Sequence, residues 1–88
     1  MTKASVEIKV KVGKKWETTY TNKNVKDVYR RLSEDLIAKK MHKCSYISRI
    51  TDRNNYNGTR TIEVYYKNGA NDSSNIISKA VYTIANMF

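Results

Sequence analysis

The sequence predicts an α+β fold: one domain spanning residues 1–88, with element order β-β-α-β-β-α, a four-stranded antiparallel sheet and two helices on one face. Three patterns predict it. Ser5 to Val12 and Thr59 to Lys67 alternate apolar with polar residues, the period of a half-buried strand. Val25, Val28, Tyr29, Leu32 and Leu36 form one stripe at helical spacing. Near the end of the chain, Ile77, Ala80, Val81, Ile84 and Phe88 form a second such stripe.

In the first strand Val6, Ile8, Val10 and Val12 point one way, and Glu7, Lys9 and Lys11 the other. Gly13-Lys14-Lys15 breaks the pattern, and Trp16 to Thr21 resumes it with Trp16, Thr18 and Tyr20 on one face. A three-residue loop sets Val12 opposite Trp16, Val10 opposite Thr18 and Ile8 opposite Tyr20, which matches the apolar faces. A two-residue loop would set Val12 opposite Lys15 and Val10 opposite Glu17, which does not. Asn24 has the chemistry of a helix N-cap, with Asp27 in the first turn. The helix is expected from about Val25 to about Lys40, with Asp27–Arg31, Arg30–Glu34 and Arg31–Asp35 pairs on a solvated outer face.

Cys44 to Arg53 reads as the third strand and Thr59 to Lys67 as the fourth. Between them a three-residue loop, Tyr56-Asn57-Gly58, sets Ile50 opposite Val64 and Ser48 opposite Tyr66, with Gly58 in the left-handed region. Ser73 or Ser74 can cap a last helix from about Asn75 to about Met87, although Lys79 to Ile84 alone also reads as a strand. The expected core is Ile8, Val10, Trp16, Leu32, Leu36, Ile50, Ile62, Val64, Val81 and Ile84.

Composition narrows the function classes. Hydrophobic residues are 40% of the chain and charged residues 28%, which suits a folded domain. A single cysteine, Cys44, excludes an internal disulfide framework. The start of the chain has no apolar h-region and no run is long enough to span a membrane, so the expectation is a cytoplasmic protein. The chain is rich in Lys, Asn, Tyr and Ile and has no proline, residue usage that points to an AT-rich bacterial, phage or mobile-element genome.

No catalytic or cofactor site is legible. The one histidine, His42, and Cys44 are too few for a metal site, and no metal is expected. Cys44 reads as a small, half-buried apolar residue. The carboxylates of Glu34 and Asp35 diverge around the helix, and no glycine-rich phosphate loop exists, so a non-enzymatic protein without cofactors is expected.

The formal charge of +9 calls for a polyanionic partner. The first expectation is a DNA- or RNA-binding accessory or regulatory factor acting through phosphates. Its candidate residues are Lys9, Lys11, Lys14, Lys15, Lys39, Lys40, Lys43, Arg49, Arg53 and Arg60, with Tyr65 offering a ring for a base on the open sheet face. The alternative is a small inhibitor or adaptor of phage or mobile-element type. It would bind an acidic protein or nucleoprotein, or a second copy of itself, through Ile76, Met87 and Phe88 of the last helix. A membrane partner is not expected, because no helix joins a basic face to a strongly apolar one.

Overall fold

The computed structural model describes residues 4–41, 46–69 and 74–85. They form β1 (Ala4–Val12), β2 (Lys15–Asn22), α1 (Val25–Met41), β3 (Ile47–Asn54), β4 (Thr59–Lys67) and β5 (Ile76–Ala85). All neighbouring strands are antiparallel, and the five-stranded sheet has the order β2-β1-β5-β4-β3. The expected four strands and two helices are therefore corrected to five strands and one helix, β-β-α-β-β-β.

The segment expected to be the last helix is β5, the central strand, paired with β1 on one side and β4 on the other. Its composition explains both the misreading and the outcome. Ile76, Ile77, Val81, Tyr82, Thr83 and Ile84 are β-branched or aromatic and favour a pleated surface. Ile77 and Val81 fall on the other parity from Ala80, Tyr82 and Ile84, and this blurs the alternation. The stripe Ile77, Ala80, Val81, Ile84 is then a coincidence of spacing. In the sheet, Ala80, Tyr82 and Ile84 are buried against the helix, and Val81 lies on the opposite face.

The first hairpin turns through two residues, Gly13-Lys14, and pairs Val12 with Lys15 and Lys11 with Trp16. Gly13 has φ +63°, as the first central position of a type II′ turn requires. The three-residue loop expected here does not form. A bulge at Thr19 corrects the mismatch farther along, because Lys9 pairs with Thr18 while Ile8 pairs with Tyr20. One extra residue inverts the facing of everything beyond it. Trp16 and Thr18 thus share the open face with Lys9 and Lys11, whereas Tyr20 and Asn22 share the helix side with Ile8 and Val6. In the second hairpin Ile50 pairs with Val64 as expected, and Asn55 N–H donates to the Thr59 carbonyl around Tyr56-Asn57-Gly58 at 3.0 Å. Gly58 has φ +87°. Ser48 is a bulged residue, so Ile47, not Ser48, pairs with Tyr66 and is buried.

Asn24 caps α1: its side chain accepts from Asp27 N–H at 3.1 Å, and its carbonyl accepts from Val28 N–H at 2.9 Å. Val28 and Leu32 are buried on the sheet, with Val25 and Tyr29 packed beside them. Their partners are Ala4, Val6, Ile47, Ile62, Val64, Ala80, Tyr82 and Ile84. The stripe does not continue to Leu36, which is 40% exposed. Asp35 turns towards the sheet instead and accepts hydrogen bonds from the hydroxyls of Tyr66 at 2.7 Å and Tyr82 at 2.5 Å. Burial, and then these bonds to a carboxylate, push both tyrosines well above their ordinary pKa. Asp35 thereby joins the two layers and does not pair with Arg31 on an outer face.

Candidate functional site

The helix occupies one face of the sheet, and the other face carries most of the chemistry. Lys9, Lys79, Tyr65 and Arg49 lie in one row across β1, β5, β4 and β3, because each is the registered partner of the next. Trp16 reaches in from β2, where it pairs with Lys11. The backbones of β2 and β4 are three strand spacings apart, roughly 14 Å. The Trp16 and Tyr65 ring centroids are nevertheless 6.4 Å apart at an interplanar angle of 70°. The two side chains therefore lean over the middle of the sheet and meet above β1 and β5.

Lys79 lies beneath them. Its ammonium is 4.6 Å from the Trp16 centroid and 5.3 Å from the Tyr65 centroid. It donates to Glu63 Oε2 at 2.9 Å, with only 14% of its side chain exposed. Tyr65 donates its hydroxyl to the same oxygen at 3.1 Å. Burial by itself would raise the Glu63 pKa. The hydrogen bonds from Lys79 and Tyr65, with the charges of Lys79 and Arg53, outweigh it and hold the carboxyl below its ordinary value. Arg49 lies over the far side of the chain of groups, 4.5 Å from the Tyr65 centroid. Tyr65 is thus engaged by two cations on its ring and by Glu63 at its hydroxyl. Trp16, which was expected in the core, is half-buried on this face with Lys11 6.0 Å from its centroid.

The expected phosphate-binding residues fall into distinct groups. Lys9, Lys11, Arg49, Arg53 and Tyr65 share the open face, and Lys14 and Lys15 stand at the tip of the β1–β2 hairpin next to Trp16. Arg60 does not belong with them. It lies on the helix side of β4, opposite Ile84, and forms a salt bridge with Asp52. Lys43, and with it His42 and Cys44, lies outside the described residues, and only the backbone of Lys39 and Lys40 is placed, in α1. Sequence reasoning missed Trp16 and Lys79. The pairing of Lys11 with Trp16 across a glycine turn was the signal for the first, and the lone cation within an apolar run was the signal for the second.

Most cations of the sheet are already answered. Lys9 donates to Thr18 at 2.8 Å and pairs with Glu7 at 3.4 Å. Lys79 pairs with Glu63, and Arg60 with Asp52. Arg53 donates to Asn55 at 3.4 Å. Lys11, Lys14 and Lys15 have no carboxylate partner among the described residues. Lys23 and Lys26 have none either, but they lie at the opposite end of β2, roughly 23 Å away. On the open face, positive charge not matched by an ion pair is therefore found at Lys11 beside Trp16 and at Arg49 and Arg53 on β3.

On the helix side, a cleft of roughly 390 Å³ lies between β2 and α1. Arg30 and Arg31 line it, but so do Asp27, Glu34 and Asp35. Arg30 pairs with Asp27 at 3.6 Å, and Arg31 rests 5.6 Å from the Tyr20 centroid. Its carboxylates outnumber its guanidinium groups, so the cleft offers no focus for an anion.

The last helix expected to carry a contact surface is corrected to strand β5. Ile76 opens β5, both of whose edges are hydrogen-bonded within the sheet, so no helix presents it to a second copy or to another protein. Met87 and Phe88 lie outside the described residues. Among the described residues there is no group of three or more metal-ligating side chains and no helix long and apolar enough to cross a membrane. Comparison of the chain with protein-family models, with curated proteins and with solved structures finds no match.

Proposed function

We propose that this is a nucleic-acid-binding protein, a non-enzymatic accessory or regulatory factor of the cytoplasm, whose open sheet face contacts phosphates at its β1–β2 end. One observation carries the reading: Lys11 beside Trp16 on the open face, Lys14 in the adjoining turn and Lys15 on the other side of the same hairpin end have no carboxylate partners among the described residues. An ion-paired lysine must give up its partner before it can serve a phosphate, whereas an unpaired lysine gives up only water. Neutralising phosphates also releases their condensed counterions, the main source of sequence-independent affinity.

The test is a titration of single- and double-stranded DNA and RNA from about 50 to 200 mM salt. Log affinity should fall linearly with log salt. Replacing Lys11, Lys14 and Lys15 together by Glu should make that slope shallower by roughly 2–3 and abolish most binding, without loss of the fold. Arg60→Gln, which removes a cation that is already paired, should leave the slope unchanged. An unchanged slope in the triple variant would remove this end of the sheet from the reading. No binding by the wild type at low salt would reject nucleic acid altogether and turn the cationic end towards an acidic protein.

A further inference from the structure

We infer that the nucleic acid recognised at this face is single-stranded and that Trp16 is the ring on which a base stacks. The inference rests on the nucleic-acid reading above and adds the class of strand and the residue that selects it.

Tyr65, the ring that the sequence suggests, cannot serve. Arg49 and Lys79 lie 4.5 and 5.3 Å from its centroid, and its hydroxyl is held by Glu63. Trp16 is differently placed. It leans over the sheet, with Lys79 and Tyr65 on its inner side at 4.6 and 6.4 Å. Among the described residues, the other cation near its ring is Lys11, exposed and at the 6.0 Å limit of a cation–π contact. A half-exposed aromatic ring beside the half-buried Lys79 ammonium, with Lys11 only at the outer limit of contact, is a platform for a flat ligand.

The surroundings select the ligand. Lys11 lies directly opposite Trp16, and Lys14 and Lys15 precede it by two residues and one. Lys15 faces the other side of the hairpin, so the ring has Lys11 across from it and Lys14 in the adjoining turn, an arrangement that matches a base next to phosphates. A duplex does not fit, because its bases stack on one another and hide their faces. Reading a duplex from its major groove needs a helix or a two-stranded ribbon that enters the groove with its reading side chains foremost. Here α1 lies on the other side of the sheet, and Trp16 is set back from the hairpin tip on the flat face.

Trp16 is the only tryptophan in the chain, so its fluorescence reports the site directly. The probes are a single-stranded DNA of about 12 nucleotides, the RNA of the same sequence and the corresponding duplex, at low salt. The expected results are quenching by either single strand, little quenching by the duplex and weaker duplex binding. Trp16→Ala should weaken single-strand binding by roughly five- to a hundredfold and leave the salt slope intact. Trp16→Phe should recover most of the loss. Binding to single strands with unmoved fluorescence, or a duplex bound as tightly as the single strand, would overturn the inference while leaving the phosphate reading in place. Failure of every probe to bind the wild type would overturn both. The quenching arm is read on the unmodified protein, so it stands even if Trp16→Ala does not fold.

Discussion

Tyr65 and Tyr66 are neighbours in β4 and point to opposite faces of the sheet, and each donates its hydroxyl to a carboxylate. Tyr66 reaches Asp35 of α1, which also receives Tyr82 of β5. Tyr65 reaches Glu63 of its own strand, which also receives Lys79 of β5. The same device therefore occurs twice with different reach. On the covered face the acceptor comes from another layer, so the bonds tie helix to sheet. On the open face the acceptor is two residues away, so the bonds tie nothing together that the ladder does not already hold. They fix the positions of Lys79 and, above it, of Trp16 and Tyr65. The lesson is that a buried carboxylate should be judged by which elements it joins. Asp35 contributes to stability and Glu63 to the arrangement of a surface.

The largest difference should appear in an alanine pair. Asp35→Ala leaves the buried Tyr82 hydroxyl without its acceptor and should cost about 3 kcal/mol. For a domain of this size that is a melting temperature lower by roughly 10–20 °C. Glu63→Ala should cost about 1 kcal/mol or less, because water reaches the open face. Its effect should appear instead as altered Trp16 fluorescence, since the tethered Lys79 is set free. Equal melting shifts for the two variants would break the comparison.

pH sharpens the comparison from both ends. Tyr66 and Tyr82 have raised pKa values in the folded protein, so the stability linked to them is complete below pH ~10 and is lost as pH rises beyond it. Glu63 has a lowered pKa when folded, so its contribution is present above about pH 4.5 and is lost as pH falls through the folded value. Chemical denaturation across pH should therefore show an alkaline loss that Tyr66→Phe reduces. It should also show a smaller acid loss that Glu63→Gln removes. An acid limb unaffected by Glu63→Gln would deny the open-face carboxylate its coupling to Lys79.

The two faces were also unequally legible in the sequence. β1, α1 and β4 could be read because each had one apolar side: β1 and β4 by alternation, α1 by its stripe and by the Asn24 cap. β5 could not, because Ile77 and Val81 fall on the parity opposite to Ala80, Tyr82 and Ile84 and so match a helical stripe. Trp16 was assigned to the core because burial matching is a good guide to register only where no bulge intervenes. The extra residue at Thr19 restores the pairing of Ile8 with Tyr20 while leaving Trp16 outside. For the site, the lysines themselves were visible, but which of them lacked a counter-charge was not. That depends on cross-strand partners such as Glu63 for Lys79 and Asp52 for Arg60. Asp35 illustrates the same limit, since helix spacing alone suggested a surface pair with Arg31.

The place of β5 in the chain sets the order in which the protein can be made. Emerging from the ribosome, the chain presents two hairpins and a helix before it presents the strand that lies between them. Until residues 76–85 arrive, the inner edges of β1 and β4 have no common partner. Cooperative folding must therefore wait for the end of β5, and its contacts with β1 span most of the chain, which slows the search. A nascent chain halted after Lys67 should remain protease-sensitive, and a peptide spanning β5 supplied in trans should rescue it. Protection before β5 is made would show that the two hairpins can find each other without the strand that joins them.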